Sequence, residues 1–270
     1  MGFHTLTYQC EEEIATIALT VPEKRNAISS QMITDLLGAL LRAEEDPARA
    51  VILTGSGKAF CAGMDLDELQ SISKQSLQKS LEDARRMSKM LYRLFSFPKP
   101  VICAINGAAI GGGCGLVTVA DIALAVPEAK FSYSEVRIGF MPAIVAVFLR
   151  RQIGDRHARP LLLTGKIIDA AEAFRIGLIA EIVSAEALME RARAIARSII
   201  AASPTAVART KHFLLKFDET AIRAELELAI EANADIRSTA DFREGISAFL
   251  EKRPPKWPKS PRGTGQEPEK

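Results

Sequence analysis

Cysteine and histidine are scarce in this chain, with four of the former and three of the latter among 270 residues. Cys10, Cys61, Cys103 and Cys114 form no C-x-x-C pair, and His4, His157 and His212 stand far apart. A zinc site is therefore not expected, and the thiols read as reduced, buried side chains of a cytoplasmic protein. Aromatic residues make up only 6%, too few for a platform that stacks single-stranded nucleic acid. Neither sign of charge prevails: 35 Lys and Arg against 33 Asp and Glu leave +2. No long block of like charge occurs, so composition does not indicate a polyanion-binding surface. No stretch approaches the roughly 18 consecutive apolar residues of a membrane span. Met1 to Cys10 lack the basic stretch and apolar core of a secretory signal.

What is present fits a globular domain. Apolar residues are 48% and charged residues 25%, and the length suggests one large or two small domains. Phe3 to Gln9 and Ile14 to Thr20 alternate apolar and polar residues around Glu11-Glu12-Glu13 and predict a β-hairpin. Ser29 or Ser30 can cap a helix to about Glu45, with Met32, Ile33, Leu36, Leu37, Leu40 and Leu41 on one face. The short apolar runs Ala50–Thr54, Val101–Ile105 and Ile122–Val126 read as buried strands, and Ser76 to Phe95 as a helix. Strands alternating with helices predict an α/β fold with a largely parallel sheet, in which ligands collect at the carboxyl ends of strands. Beyond Ser184 all the spacing is helical, as in Ile222, Leu226, Ile230 and then Phe242, Ile246, Phe249. Proline is dense after Arg253, and the chain reads as a tail past Trp257.

Four stretches carry possible chemistry. Gly55-Ser56-Gly57-Lys58 looks like a phosphate loop but fails the pattern, because Ala59 stands where Ser or Thr is needed and Ile52 where the first glycine is needed. Ala59-Phe60-Cys61-Ala62-Gly63-Met64-Asp65-Leu66 follows a buried strand. Gly63 permits a turn and Asp65 can cap a short helix, whose first N–H groups are free to bind an anion or a polarised carbonyl; a plain strand-to-helix turn has the same signature. Gly111-Gly112-Gly113 removes three Cβ atoms ahead of an apolar helical stretch, which serves either a ligand approaching the backbone or tight packing on the sheet. Glu135 lies in a mostly uncharged run. In apolar surroundings its pKa would rise and it could exchange protons near neutral pH; a surface pair with Arg137 is the alternative.

Taken in order, these motifs resemble the crotonase (enoyl-CoA hydratase/isomerase) superfamily. The resemblance runs from about Phe3 to Trp257 and takes in the Arg25-Asn26-Ala27 loop, Ala59–Leu66, Gly111–Cys114, Glu135 and Glu251-Lys252-Arg253. It implies a ββα spiral core over residues 1–184, a helical C-terminal oligomerisation subdomain over 185–257 and a flexible tail over 258–270. It implies an acyl-CoA thioester as substrate, a homotrimer or dimer of trimers, no metal and no cofactor beyond the substrate's own coenzyme A. Neither nucleic acid nor membrane is an expected partner. By similarity the thioester oxygen would sit between the N–H groups of Met64 and Gly112, where negative charge develops in an enolate-like state. Coenzyme A would lie along Lys24, Arg25, Ala27, Ala62, Asp65, Leu66 and Gly111, with Lys58 a further phosphate partner and Lys252 reaching a neighbouring subunit. Phe140 and Met141 would line the acyl pocket, which the bulky apolar run to Phe148 marks as apolar. The well-studied hydratases of the family use two glutamates. Glu135 matches one, and Gly115 stands where the other would be. Three readings stay open: hydration with Glu135 alone, double-bond isomerisation with Glu135 alone, or a bound anion beside Gly115. A catalytically weak acyl-CoA binder is the reading from another class.

Overall fold

The structure, a computed structural model, describes residues 2–72 and 75–258. In chain order it contains β1 (Leu6–Glu11), β2 (Ile14–Leu19), α1 (Ser30–Glu45), β3 (Ala50–Gly55), β4 (Ala59–Cys61), α2 (Leu66–Ile72), α3 (Leu77–Phe95), β5 (Val101–Ile105) and β6 (Ala108–Ile110). There follow α4 (Gly112–Thr118), β7 (Ile122–Ala125), β8 (Lys130–Ser132), a 3-10 turn at Glu135–Ile138 and α5 (Ala143–Thr164). The chain continues through β9 (Ile168–Asp169), α6 (Ala170–Arg175), β10 (Glu181–Ile182), α7 (Leu188–Ile200), α8 (Pro204–Ile236) and α9 (Ala240–Leu250).

The expected hairpin forms, with Glu12 and Glu13 at φ 50° and 59° making the turn whose twist suits two antiparallel strands. Its second strand opens a six-stranded sheet in the order β1-β2-β3-β5-β7-β10, parallel from β2 onward. Every residue of β5 is buried, as a parallel strand covered on both faces should be. A second sheet, β4-β6-β8-β9, was not expected from the sequence. Its strands are two or three residues long, too short to show any periodicity. The large-sheet strands β3, β5 and β7 are each followed by a short one, β4, β6 and β8, and then by helix. The chain therefore winds as repeated ββα turns, each giving one strand to each sheet.

Local chemistry sets the helix starts. Ser29 Oγ accepts from Met32 N at 3.1 Å and begins α1; Ser76 and Ser203 do the same for α3 and α8. On α1 the expected apolar face needs one correction, since Leu41 is exposed and Leu37 only half-buried. The buried row is Leu36, Ala39, Leu40 and Ala43, and at 100° per residue the Leu37–Leu41 row turns away from it. Helix α5 breaks at Gly154, which has φ 70°.

The C-terminal region is helical. On α8, Ile222, Leu226, Ala229 and Ile230 enter the same core as the sheets, while Phe213, Leu214, Phe217 and Leu228 are exposed. Helix α9 lies backbone to backbone on the Glu135–Ile138 turn. A Cβ at Gly245 would fall 2.2 Å from the Ile138 carbonyl carbon, and one at Gly139 2.3 Å from the Asp241 oxygen. This contact fixes the turn that carries Glu135. Residues 259–270 of the expected tail lie outside the described residues.

Candidate active site

Two loops are stitched together at the carboxyl ends of β2 and β4. Asn26 is buried in the left-handed region at φ 54°. Its Oδ1 accepts from Val21 N, and its Nδ2 donates to the carbonyls of Ser56 and Ala59, all at 2.9 Å. Ala62 N donates to Arg25 O at 3.0 Å, Ile28 N to Gly63 O at 2.7 Å and Asp65 N to Ile28 O at 3.0 Å. Ile28 thus spends both its main-chain groups on residues 63 and 65. In such a parallel bridge the N–H of Met64, the residue between, points away from Ile28.

The start of α4 lies against this loop. Gly63 has φ 88°, and a Cβ there would meet Ile110 O at 2.8 Å and Gly112 N at 3.7 Å. Gly111 N donates to Ser132 O at 2.7 Å, and α4 begins at Gly112, whose N–H is among the unpaired donors of a first helical turn. The three glycines differ in their surroundings. Gly113 is the packing glycine, with a Cβ position only 2.2 Å from Cys61 O, whereas Gly111 and Gly112 face a cavity together with Gly63 and Met64. Asp65 caps α2 through Oδ1, which accepts from Asp67 N at 2.9 Å, as the sequence suggested.

Glu135 reaches the same cavity from the other side. Its Oε1 lies 3.4 Å from the position of a Cβ on Gly111. Its Oε2 is buried and accepts no hydrogen bond. Burial pushes the carboxyl up to about 7, against a small lowering by its own backbone N–H. The alternative pair with Arg137 does not form, since Arg137 Nε donates to Thr164 O at 3.3 Å instead. A buried acceptor with nothing to accept from is uncommon in a folded protein.

The cavity measures about 210 Å³. Met64, Leu69, Met87, Ile138, Phe140, Met141, Ile144, Val145 and Phe249 supply its apolar wall. Beside Gly115 there is no open space. A Cβ there would meet Val145 Cγ2 at 3.0 Å and the Leu91 methyls at 3.4 and 3.5 Å. Those groups offer an anion no donor, so the site has a single carboxylate with an apolar wall where a second could have stood. Asp121 is occupied elsewhere, bonded to Val101 N at 2.7 Å and to Lys211. Among the described residues no cluster of metal-ligating side chains occurs.

The other expected site residues fall into two groups. Lys24 lies over the Ala62–Leu66 turn but is held by Asp65 at 2.9 Å and Asp67 at 3.0 Å, which raise its pKa. Arg25 and half-buried Ala27 sit on the loop after β2 and Lys58 on the turn between β3 and β4, and neither Arg25 nor Lys58 has an ion pair among the described residues. Leu66 opens α2. Lys252 follows α9 at φ 54°, is exposed and does not line the cavity. Sequence reasoning missed two polar residues of the wall, Asn233 and Arg237. The signal was available. Arg237 stands seven residues after Ile230, on the apolar spacing of α8.

Residues 9–260 match the Enoyl-CoA hydratase/isomerase family. A Thermus thermophilus protein provisionally named enoyl-CoA hydratase is 40% identical over 90% of this chain and 97% of its own. Crotonyl-CoA hydratase of Syntrophomonas wolfei is 33% identical, covering 94% and 97%. Among solved structures, an enoyl-CoA hydratase/isomerase from Xanthobacter autotrophicus Py2 superposes with a TM-score of 0.87 at 29% identity, over 95% of this chain and 99% of that one. The chain belongs to the enoyl-CoA hydratase/isomerase family of the crotonase superfamily. It is an enzyme of that family, built on the crotonase fold.

Proposed function

We propose that the protein adds water across the double bond of a 2-enoyl-CoA thioester, with Glu135 as its single acid/base. The observation that carries this is the buried, unpartnered Oε2 of Glu135 at an apolar cavity that Met64 and Gly112 also line. The N–H groups of Met64 and Gly112 hold the thioester oxygen. As water attacks C3, negative charge moves onto that oxygen, and losing one such donor typically costs about 3 kcal/mol. Glu135 takes the proton of the attacking water and returns one to C2. A pKa of about 7 lets it do both near neutral pH. Names borne by relatives, hydratases in Thermus thermophilus and Syntrophomonas wolfei, support hydration.

The coenzyme lies along the Lys24–Ala27 loop and the Ala62–Leu66 turn, with Gly111 at the thioester. Arg25 and Lys58 are its phosphate partners, and Lys24 shapes the turn through Asp65. Lys252 serves a neighbouring subunit, in a homotrimer or dimer of trimers. The exposed Phe213, Leu214 and Phe217 of α8, on the segment 185–257, support burial against another copy. No helix among the described residues is long and apolar enough to cross a membrane, and the site of action is the cytoplasm.

The second reading is an enoyl-CoA isomerase, favoured by the apolar wall beside Gly115, because moving a proton from C2 to C4 of a 3-enoyl thioester needs one carboxylate and no water. Ultraviolet absorbance of the conjugated thioester separates the two. Loss of that absorbance from crotonyl-CoA is the expected result. A gain from a 3-enoyl-CoA, with crotonyl-CoA untouched, would replace hydration by isomerisation.

A further inference from the structure

The cavity wall includes a charged group that hydration does not use. Arg237 is 4% exposed and lines the cavity with its neighbour Asn233. A guanidinium has five N–H donors. Two are engaged within the chain, Nη1 to Asp83 Oδ2 and Nη2 to Asn233 Oδ1, each at 2.8 Å. The Nε is buried and has no partner. The guanidinium also lies 5.5 Å from the centre of the Phe140 ring, which places it at the apolar wall. We infer that Arg237 is a specificity-determining residue, and that the enzyme prefers 2-enoyl thioesters whose acyl chain ends in a carboxylate.

An ion pair between α8 and α3 explains Asp83 and one donor, but not a buried Nε without an acceptor in a residue that lines the cavity. An acyl chain ending in methyl leaves that donor unpaired and brings hydrocarbon against a buried cation. A terminal carboxylate supplies two acceptor oxygens, which match two N–H groups of the planar fork. Sites built to bond a polar group reject the analogue that lacks it far more strongly than apolar pockets discriminate by size. Asp83 already neutralises the guanidinium, so what the substrate satisfies is the remaining donors.

This inference rests on the acyl-CoA reading above, and the test keeps the two apart. The wild-type enzyme would be given 2-pentenoyl- and 2-hexenoyl-CoA beside their analogues with a terminal carboxylate, 2-pentenedioyl- and 2-hexenedioyl-CoA. At one length or both, kcat/KM should favour the carboxylate-ended substrate at least tenfold. Arg237→Met should abolish that preference, mainly by raising KM for the carboxylate-ended substrate. If Arg237→Met does not fold, Arg237→Lys serves, and its preference should fall in the same direction. Equal or better turnover of the methyl-ended chain by wild type at both lengths overturns the inference. So does a preference that survives in a folded Arg237 variant. If wild type hydrates none of the four, hydration has failed but the Arg237 inference is still read by calorimetry with saturated acyl-CoA pairs. Tighter binding of the carboxylate-ended member supports it, and indifference overturns it.

Discussion

Replacing Glu135 with glutamine should make the protein more stable above neutral pH than near pH 5, relative to wild type. The Glu135 carboxyl titrates at about 7 in the folded chain, because burial disfavours its charged form, against an ordinary value of 4.5. Between those two values the unfolded chain releases the proton and the folded chain keeps it. Stability contributed at this position is therefore full below the unfolded value and falls as pH rises toward the folded one. A gap of about 2.5 pK units amounts to roughly 3 kcal/mol of lost stability by pH 8, and to about 1 kcal/mol at pH 5. Glutamine has the same shape without the charge, so its own burial cost does not vary with pH. The difference in unfolding free energy between Glu135→Gln and wild type should thus shift by about 2 kcal/mol in favour of the variant from pH 5 to pH 8. Urea unfolding of both proteins at one fixed concentration, across that range, reads it, and fixed concentration removes any contribution from subunit association. A difference that stays flat would show that the carboxyl titrates at its ordinary value and is not sequestered.

The same titration should appear in catalysis. With the carboxylate as the base that receives the water proton, kcat/KM for hydration should rise with pH through an apparent value of about 7. A profile without that inflection would remove Glu135 from the base role. Asn26→Ala should lower stability by about 2–4 kcal/mol, since it leaves Val21 N and the Ser56 carbonyl without their partner and the Ala59 carbonyl to a long bond from Asn106 Nδ2 at 3.4 Å. It also puts alanine at φ 54°, and because Asn26 ties the two loops together, KM for the CoA ester should rise with the fall in melting temperature.

The parts legible in the sequence were those with long-range patterning. The buried strand Val101–Ile105 and the helix to Phe95 follow from unbroken apolar runs and helical spacing, and Ser29 and Ser76 announce their helices by cap chemistry. The second sheet was not legible, because strands such as Ala108–Ile110 and Ile168–Asp169 are set by what they pair with and not by their own residues. The site divides in the same way. Gly63, the triple glycine and Glu135 could be placed by motif order. Which of the glycines packs and which faces the cavity depended on how close Cys61 comes to Gly113, a tertiary fact. Lys24 illustrates the limit for charged residues: a free cation in the sequence is an ion-paired one once Asp65 and Asp67 are folded beside it. Arg237 continues the apolar spacing of α8, which hints at burial, but that it lines the cavity is a matter of how α8 packs.

The central claim is that one carboxylate, Glu135, carries the proton transfers while main-chain donors hold the thioester oxygen. It is tested most directly by turnover of crotonyl-CoA by wild type and Glu135→Gln, with calorimetric binding of butyryl-CoA measured on both. The account predicts a fall in kcat of about 10²–10⁴ in the variant, with butyryl-CoA bound as tightly as by wild type. Hydration retained within about tenfold by a folded, ligand-binding Glu135→Gln would contradict it and place the catalytic group on another residue.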